Sequence, residues 1–579
     1  MNFRQTYRVT LGLALLVAGA LNVFAQSSPG QRAHRNAQQR ETPKLKDVRL
    51  AGELGTRFQA ATRNILVTRQ DIFSLDSFRS SALSTPGALW WDWPGDQIGR
   101  WLSVVHVASA LGMAPPAVSR SAVLDLVLPL QRPGGSFSTD PPESTDVRVV
   151  SGNAFGLRGL MDTYEDTRDE RVLAAARRMA GYFEANFDYY KERGRQGTMY
   201  EFYGHCVGGL VRLYEIGGDE TALDLAQRIS AHAGLSQHTH SSLSMYRGLV
   251  DLYNVTADPD TLKRVEDYLD WVRGSRIVTG GIPENMPLWN QDEGCALADY
   301  VQLNLMVFAA TGNDAYLEDA ENTLLNHFFM NQFHTGGFGT LSFGTPGIVG
   351  GKTWQGWGGK FGSETPGCCS LWGQWGLGNV AQYIFTRYDD ALEVNLYPAA
   401  EVAFPDLDLK LSMKSDFPRM HQAALTITTQ RKEPLELRLR VPRWAEEMVV
   451  DVNGVKADAQ RHDGRLVVRR AWHSGDVVRI QFTSPLRLVR WPLADSPNAA
   501  IFDGPLCLGL SSADRDLTTE LSVMTTARGE LALGPDGQPL FSAKGQPVAL
   551  RLHPIEENWQ SPDVFEPHQF RVLFDVSAK

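Results

Sequence analysis

Cysteine is scarce in this 579-residue chain. There are five, an odd number and too few for a disulfide-stapled scaffold. Long hydrophobic runs are nearly absent as well. The one apolar stretch, Val9 to Leu21, follows Arg4 and Arg8 and leads into Val23-Phe24-Ala25. It is short of the ~20 residues that span a bilayer and reads as a cleaved secretory signal over Met1 to Ala25. No cysteine lies near that point, which argues against a lipid anchor there. An excess of positive charge is also missing: the formal net charge is −10 and becomes −12 once Arg4 and Arg8 leave with the signal. A basic nucleic-acid surface is therefore not expected. The chain reads as exported, secreted or periplasmic, with no membrane span after cleavage.

What is present is enough for two large domains, since single cores stop growing at about 250–300 residues. Residues 26–46 are rich in Gln, Arg, Ser and Pro and read as a disordered leader. From there to about residue 390 a pattern recurs: an apolar helix, a Gly/Thr/Asp turn, and a second helix. It is seen at Gly156–Tyr164 with Asp166-Thr167-Arg168-Asp169, at Val207–Tyr214 with Gly217-Gly218-Asp219, at Tyr246–Tyr253 with Thr256-Ala257-Asp258, and at Leu303–Ala309 with Thr311-Gly312-Asn313-Asp314. The spacing is too irregular for a stacked solenoid, and the reading is an (α/α) barrel over residues 47–390 with a pocket built by the loops at one end. After that the period becomes two. Leu435, Leu437, Leu439 and Val441 alternate with charged residues, and Asn453-Gly454 and Gly475-Asp476 supply turns, so residues 391–579 read as a β-sandwich region.

The scarce cysteines are placed unevenly. Cys368 and Cys369 are adjacent inside a glycine-rich stretch, and Glu293-Gly294-Cys295 offers a carboxylate and a thiol two residues apart. One oxygen and three sulfur donors make a ligand set that suits Zn²⁺, which takes four N, S or O ligands in a tetrahedron. A closed set of four is also what a structural zinc clamp uses. Cys206 and Cys507 are left over and read as buried free thiols.

Several further pieces, in order along the chain, carry a resemblance: Thr279-Gly280-Gly281-Ile282, Glu293-x-Cys295, Cys368-Cys369, Asn395-Leu396-Tyr397, Val441-Pro442-Arg443-Trp444-Ala445, Val452-Asn453-Gly454, Trp472 with Gly475-Asp476, and Gly504-Pro505-Leu506. Over most of its length the chain resembles glycoside hydrolase family 127, the β-L-arabinofuranosidase group, and its relatives. The resemblance implies an (α/α) barrel followed by β-domains, zinc held by Glu293, Cys295, Cys368 and Cys369, and Cys368 as nucleophile. It also implies a glutamate acid/base shortly after the Thr-Gly-Gly-Ile element, which here is Glu284. The chain departs from the family beside that residue, with Pro283 and Asn285-Met286-Pro287 as flanks and a shorter segment to Glu293. It departs again after the cysteine pair, where Ser370-Leu371-Trp372 replaces the frequent Pro-Pro-Asn.

Asp292 and Glu364 are the rival carboxyls for the acid role. His205 and His240 each precede or open a repeat helix, and the family binds sugar hydroxyls through histidines in comparable places. His238-x-His240 is weaker as a separate metal motif. Trp91, Asp92 and Trp93 combine aromatic faces with a carboxylate, as sugar sites do. The function expected from all this is a retaining exo-glycosidase that releases terminal β-L-arabinofuranose or a related sugar from plant-type glycans, with a carbohydrate as its partner and a homodimer as an open alternative. Two rivals remain at this level: an (α/α)-barrel polysaccharide lyase or uronide hydrolase with a structural zinc, and a non-catalytic glycan-binding protein.

Overall fold

In the computed structural model, the structure describes residues 39–87, 89–138, 147–194, 203–232, 238–286, 288–342, 348–349, 364–491, 498–514, 516–517, 519–560 and 570–576. The signal segment and the leader up to residue 38 lie outside the described residues.

The first half is helical: α1 Gly52–Arg63, α2 Leu75–Leu83, α3 Asp96–Ala110, α4 Arg120–Val127, α5 Val147–Thr167, α6 Glu170–Ala185, α7 Phe187–Gly194, α8 Cys206–Gly217, α9 Glu220–Ser230, α10 Thr239–Thr256, α11 Pro259–Ser275, α12 Gly294–Thr311, α13 Asp314–Thr323 and α14 Leu371–Asn379. The recurrent turns have one physical cause. Four of the inner helices, α5, α8, α10 and α12, end at a residue in the left-handed region: Arg168, Gly218, Ala257 and Gly312 respectively. The next residue, Asp169, Asp219, Asp258 or Asn313, then caps the following helix by accepting backbone N–H groups on its side chain. Stop and start signals thus sit on adjacent residues, and the chain reverses into an outer helix each time.

The helices α3, α5, α8, α10, α12 and α14 pack in that order, and α14 returns to α3, closing an inner ring. Helix α12 is apolar nearly all round, as a helix enclosed on every side must be. The ring is tightest between α3 and α5. A Cβ on Gly99 would lie 2.0 Å from the Phe155 carbonyl oxygen, and one on Gly159 would lie 2.2 Å from the Gly99 oxygen. Gly99→Ala is therefore expected to force the two helices apart and lower stability by about 1–3 kcal/mol in a denaturant titration.

A buried polar tie sits in the same ring. Asp162 of α5 pairs with Arg158 at 3.1 Å and with Arg212 of α8 at 3.2 Å, and accepts from Ser103 of α3 at 2.7 Å. Burial works to raise its pKa, but the two guanidinium groups outweigh it and bring the carboxyl down to about 2. A carboxyl depressed by folding contributes stability that is full above its unfolded value of about 3.9 and is lost as pH falls toward the folded value. Asp162→Asn is accordingly expected to lower stability by roughly 2 kcal/mol at neutral pH, and the gap in melting temperature from the parent should close between about pH 4 and pH 2.

The second half is β. One seven-stranded sheet runs in the order β1-β8-β9-β10-β16-β12-β13, from β1 Val48–Leu50, β8 Ala400–Phe404, β9 Leu409–Ser415, β10 Gln422–Thr429, β16 Val477–Thr483, β12 Glu447–Val452 and β13 Val455–Lys456. A five-stranded sheet runs β14-β15-β11-β7-β6, from β14 Gln460–His462, β15 Arg465–Arg470, β11 Leu435–Arg440, β7 Ala391–Val394 and β6 Phe385–Tyr388. The alternating leucines of β11 are buried as the period-two pattern requires, while β7 pairs with β11 in parallel, which the turn signals did not reveal. Asn453 and Gly454 both take positive φ in the tight hairpin between β12 and β13. A further sheet, built mainly after Arg487, makes its own apolar clusters. Three short strands, β2 Pro283–Asn285, β3 Leu288–Glu293 and β4 Thr340–Ser342, stay with the barrel.

Two sequence boundaries need correction. Residues 39–46 are not free leader: Arg40 pairs with Glu393 at 3.2 Å, Glu41 bridges Arg387, and Leu45 is buried. The charged side chains that suggested disorder are matched by partners more than 300 residues away. The β-region also begins at Phe385 rather than 391, and it takes one edge strand, β1, from the chain's start, with Val48 opposite Val402.

Candidate active site

The N-terminal ends of the six inner helices meet at one mouth of the ring, and each contributes to a cleft of about 480 Å³. Asp96 and Arg100 come from the first turns of α3, Ser151 from α5, and His205 from the residue before α8. His238, His240 and Ser241 come from the start of α10, Glu293 from the residue before α12, and Thr365 and Cys368 from the approach to α14. The opposite ends carry the capped turns, so the repeat architecture separates structural signals from chemical ones.

Local sequence explains the two halves of the thiol cluster. Glu293 ends β3 in extended backbone, and α12 starts at Gly294, which places Cys295 in the first turn beside it. A Cβ on Gly294 would come within 3.1 Å of Cys369 Cβ and 3.0 Å of Asn331 Oδ1, so a side chain there would press the two halves apart by a few tenths of an ångström. Cys368 and Cys369 lie in a widened helical turn, Pro366–Ser370. Ser370 Oγ pins that turn by accepting from the Phe338 N–H at 2.9 Å. Gly367 leaves room for the Trp90 ring, which lies where a Cβ would stand, and Trp90 itself holds φ of 60°.

Glu293, Cys295, Cys368 and Cys369 bring one donor atom each within 4.8 Å of one another. Cys295 Sγ is 2.8 Å from Cys368 Sγ, and Glu293 Oε1 is 3.7 Å from Cys368 Sγ and 4.0 Å from Cys369 Sγ. Cys368 is the half-buried member and opens on the cleft, whereas Cys295 and Cys369 are buried. Burial, with the neighbouring Cys368 and Glu284, drives the Glu293 carboxyl well above its usual range; burial and the adjacent sulfurs drive Cys295 up in the same way. The hydrogen bond with Cys295 pulls Cys368 down, but the contact with Cys369 and burial push it up to about 12. Four acidic groups this close and this dry can all be anionic only around a cation. Glu293 Oε2 is also buried with no hydrogen-bond partner among the described residues. Donor types, convergence and this unsatisfied oxygen all fit a divalent ion that accepts sulfur and oxygen ligands, and zinc is such an ion.

Around the cluster runs a chain of ionic contacts. Arg100 holds Asp96 through two contacts, at 2.9 and 3.1 Å, and Nη2 lies 3.0 Å from His240 Nε2. His240 Nδ1 lies 2.6 Å from Asp299 Oδ2, and Asp299 also takes Trp372 Nε1–H at 2.7 Å and pairs with Arg247 at 2.9 Å. Trp372 belongs to the segment that departs from the family pattern after the cysteine pair, and it joins this chain of contacts through Asp299. Asp292 turns away from the cleft: it pairs with His327 at 2.9 Å, which in turn meets Thr279 Oγ1 at 2.8 Å. That leaves Asp292 to brace β3 rather than to meet substrate. Glu364 is drawn off to Arg69 at 2.9 Å and Asn64 at 3.0 Å.

Glu284 sits on β2, buried, with Gln291 Nε2 donating to its Oε2. An isolated bridge between His238 and Asn285 brings it to the cleft, and Glu284, His238 and Glu293 offer atoms within 4.8 Å of one another. His238 therefore faces the two carboxyls, whereas both nitrogens of His240 are engaged elsewhere, Nδ1 with Asp299 and Nε2 with Arg100, which leaves His240 no ligand atom for a shared metal. His205 Nδ1 is 3.0 Å from Ser151 Oγ and Nε2 is 3.1 Å from the Ser241 carbonyl; burial, with nearby His240 and Arg100, keeps it neutral by lowering its pKa well below the usual histidine value.

Of the aromatic tract, Trp93 lines the cleft, but Trp91 and Asp92 do not. Asp92 turns out to pair with Arg148 at 2.5 Å, and within the turn before α3 it is Trp90, Trp93 and Asp96, three residues apart, that line the cleft. Sequence reading marks the tract from Trp90 to Gln97 as a whole without picking Trp90 or Asp96 as pocket residues, and it passes over Arg100, Ser151 and Ser241. The usable signal was Asp96 and Arg100 at i and i+4 on the first turns of a helix otherwise apolar.

Two family profiles match the chain: the β-L-arabinofuranosidase GH127 catalytic domain over residues 153–370 and the GH127 middle domain over residues 391–484, together more than half of its length. The chain belongs to glycoside hydrolase family 127. It is an enzyme of the glycosidase class, which sets aside the polysaccharide-lyase and binding-protein readings. Solved structures share the fold. A GH127 β-arabinofuranosidase superposes with a TM-score of 0.71 at 17% identity, covering 94% of this chain and 99% of that one. Ara127N, a GH127 β-L-arabinofuranosidase from Geobacillus stearothermophilus T6, gives 0.70 at 15% identity over 92% and 100%. No curated protein matches the chain. Among the described residues no helix is long and apolar enough to cross a membrane.

Proposed function

We propose that this GH127 enzyme is an exported, retaining exo-glycosidase that releases terminal β-L-arabinofuranose or a related sugar from plant-type glycans, with Cys368 as nucleophile and Glu284 as acid/base. The observation that carries this reading is the asymmetry of the cluster: four donors converge, the half-buried one, Cys368, opens on the cleft, and Glu284 lies beside the cleft with atoms of Glu293 and His238 within 4.8 Å.

Glu293, Cys295, Cys368 and Cys369 are the residues that would hold zinc, whose charge when bound keeps thiols as thiolates at neutral pH. In the first step Cys368 Sγ forms a bond to the anomeric carbon as the glycosidic C–O bond breaks, and protonated Glu284 gives its proton to the departing oxygen. In the second step Glu284, now a carboxylate, takes a proton from water, and the resulting oxygen displaces the sulfur. Two inversions at one carbon retain configuration. Gln291 orients the Glu284 carboxyl through its hydrogen bond, and Trp90 and Trp93 offer apolar faces to a sugar ring.

The test is turnover of p-nitrophenyl β-L-arabinofuranoside, with the first-formed anomer read by NMR and the metal content of the same sample measured. One zinc per chain and an initial β-anomer support the reading. An initially inverted anomer refutes the double displacement, and zinc without turnover on any furanoside refutes the substrate.

A further inference from the structure

We infer that Arg100 is a positioning residue whose fixed positive charge balances the thiolate cluster and ties Cys295 into it. This inference rests on the reading of the four donors as a metal site.

A divalent cation among three thiolates and a carboxylate leaves two negative charges in excess, in a pocket with little water to screen them. Arg100 Nη1 lies 3.9 Å from Cys295 Sγ, at the range of a hydrogen bond to sulfur. Its other nitrogens are committed. Nε meets both oxygens of Asp96, one helical turn earlier, and Nη2 faces His240 Nε2 at 3.0 Å. The guanidinium carbon stands 3.6 Å from the Phe155 ring centroid and 4.8 Å from that of Trp372, so the group also packs against two aromatic rings that meet edge to face. Few groups could hold this position. A guanidinium is always charged and presents its donors in a rigid fork, whereas an ammonium would keep the charge and lose the simultaneous contacts.

The same contacts define the role of His240. Because Asp299 accepts from Nδ1, the lone pair of Nε2 faces Arg100, and the imidazole links Asp299 to Arg100. Asp299, His240, Arg100 and Cys295 form a chain of contacts that ends on a fully buried sulfur, whereas Cys368 borders the cleft. Cys295 is thereby marked as the permanent ligand and Cys368 as the sulfur left to react.

The test compares the wild type, Arg100→Lys, Arg100→Gln and the double variant Asp96→Asn/Arg100→Gln. The double variant removes both buried charges at once and so avoids stranding Asp96. Folding is checked by circular dichroism, and zinc affinity is measured by competition with a chromophoric chelator. The double variant is expected to hold zinc ~10–100-fold more weakly than the wild type, the range seen when partners of metal ligands are lost. Arg100→Lys, which retains the charge, should lie between them. Equal zinc affinity in the wild type and a folded double variant overturns this inference alone. A lysine variant as weak as the double variant overturns the role of charge. A wild type that binds no zinc overturns the reading of the four donors and this inference with it.

Discussion

Cys368→Ala is expected to lower kcat by about 10⁴-fold or more, the scale of loss when a covalent nucleophile is removed. The cluster makes the result interpretable. Glu293, Cys295 and Cys369 stay in place within 4.8 Å of one another, so the variant should still bind zinc, though more weakly, and samples loaded with metal separate loss of nucleophile from loss of site. Cys368→Ser should be nearly as inactive, since a hydroxyl is a poor nucleophile at neutral pH where a thiolate is a good one. A slow substrate should leave one sugar mass on the peptide carrying Cys368 in the wild type and none in either variant. Turnover by metal-loaded Cys368→Ala at the parental rate would make the four donors a structural clamp.

Glu284→Gln is expected to lose about 10²–10⁴-fold in kcat on oligosaccharides, the usual contribution of a positioned acid/base. The loss should be smaller in the first step on a nitrophenyl glycoside, whose leaving group departs without help. The glycosyl-enzyme would then accumulate and show as a burst of nitrophenolate. Azide needs no base and should restore turnover, giving a β-glycosyl azide. An equal loss on both substrates with no azide rescue would remove Glu284 from the acid/base role. Asp292 and Glu364 are poor replacements, being bound to His327 and Arg69 respectively. Glu284→Gln also sits beside Gln291 as hydrogen-bond partner, so the amide can keep its place while losing its proton.

Much of this architecture could be read along the chain because the signals are local. A helix that stops at a left-handed residue and restarts at an Asp or Asn cap carries its instructions within a few positions, and Arg168-Asp169, Gly218-Asp219, Ala257-Asp258 and Gly312-Asn313 all do so. The four cluster donors are also legible along the chain, because cysteine is rare and paired cysteines have few other uses. The parallel pairing of β7 with β11 and the docking of Arg40 on Glu393 were not found, since each joins residues with no local relation.

The tract from Trp90 to Asp96 shows the limit most clearly. Composition singled it out, but one turn decides that Trp90, Trp93 and Asp96 face the cleft while Asp92 leaves for Arg148. Arg100 shows the same limit, an ordinary helical arginine in one dimension and the neighbour of Cys295 in three. By itself the sequence determined residue chemistry and local geometry: the ligand types, the caps, the periods of helix and strand, and the family. Tertiary structure alone decided which side chains share a pocket, because closing the ring brings six helix ends together from positions nearly 300 residues apart, and no local rule encodes that convergence.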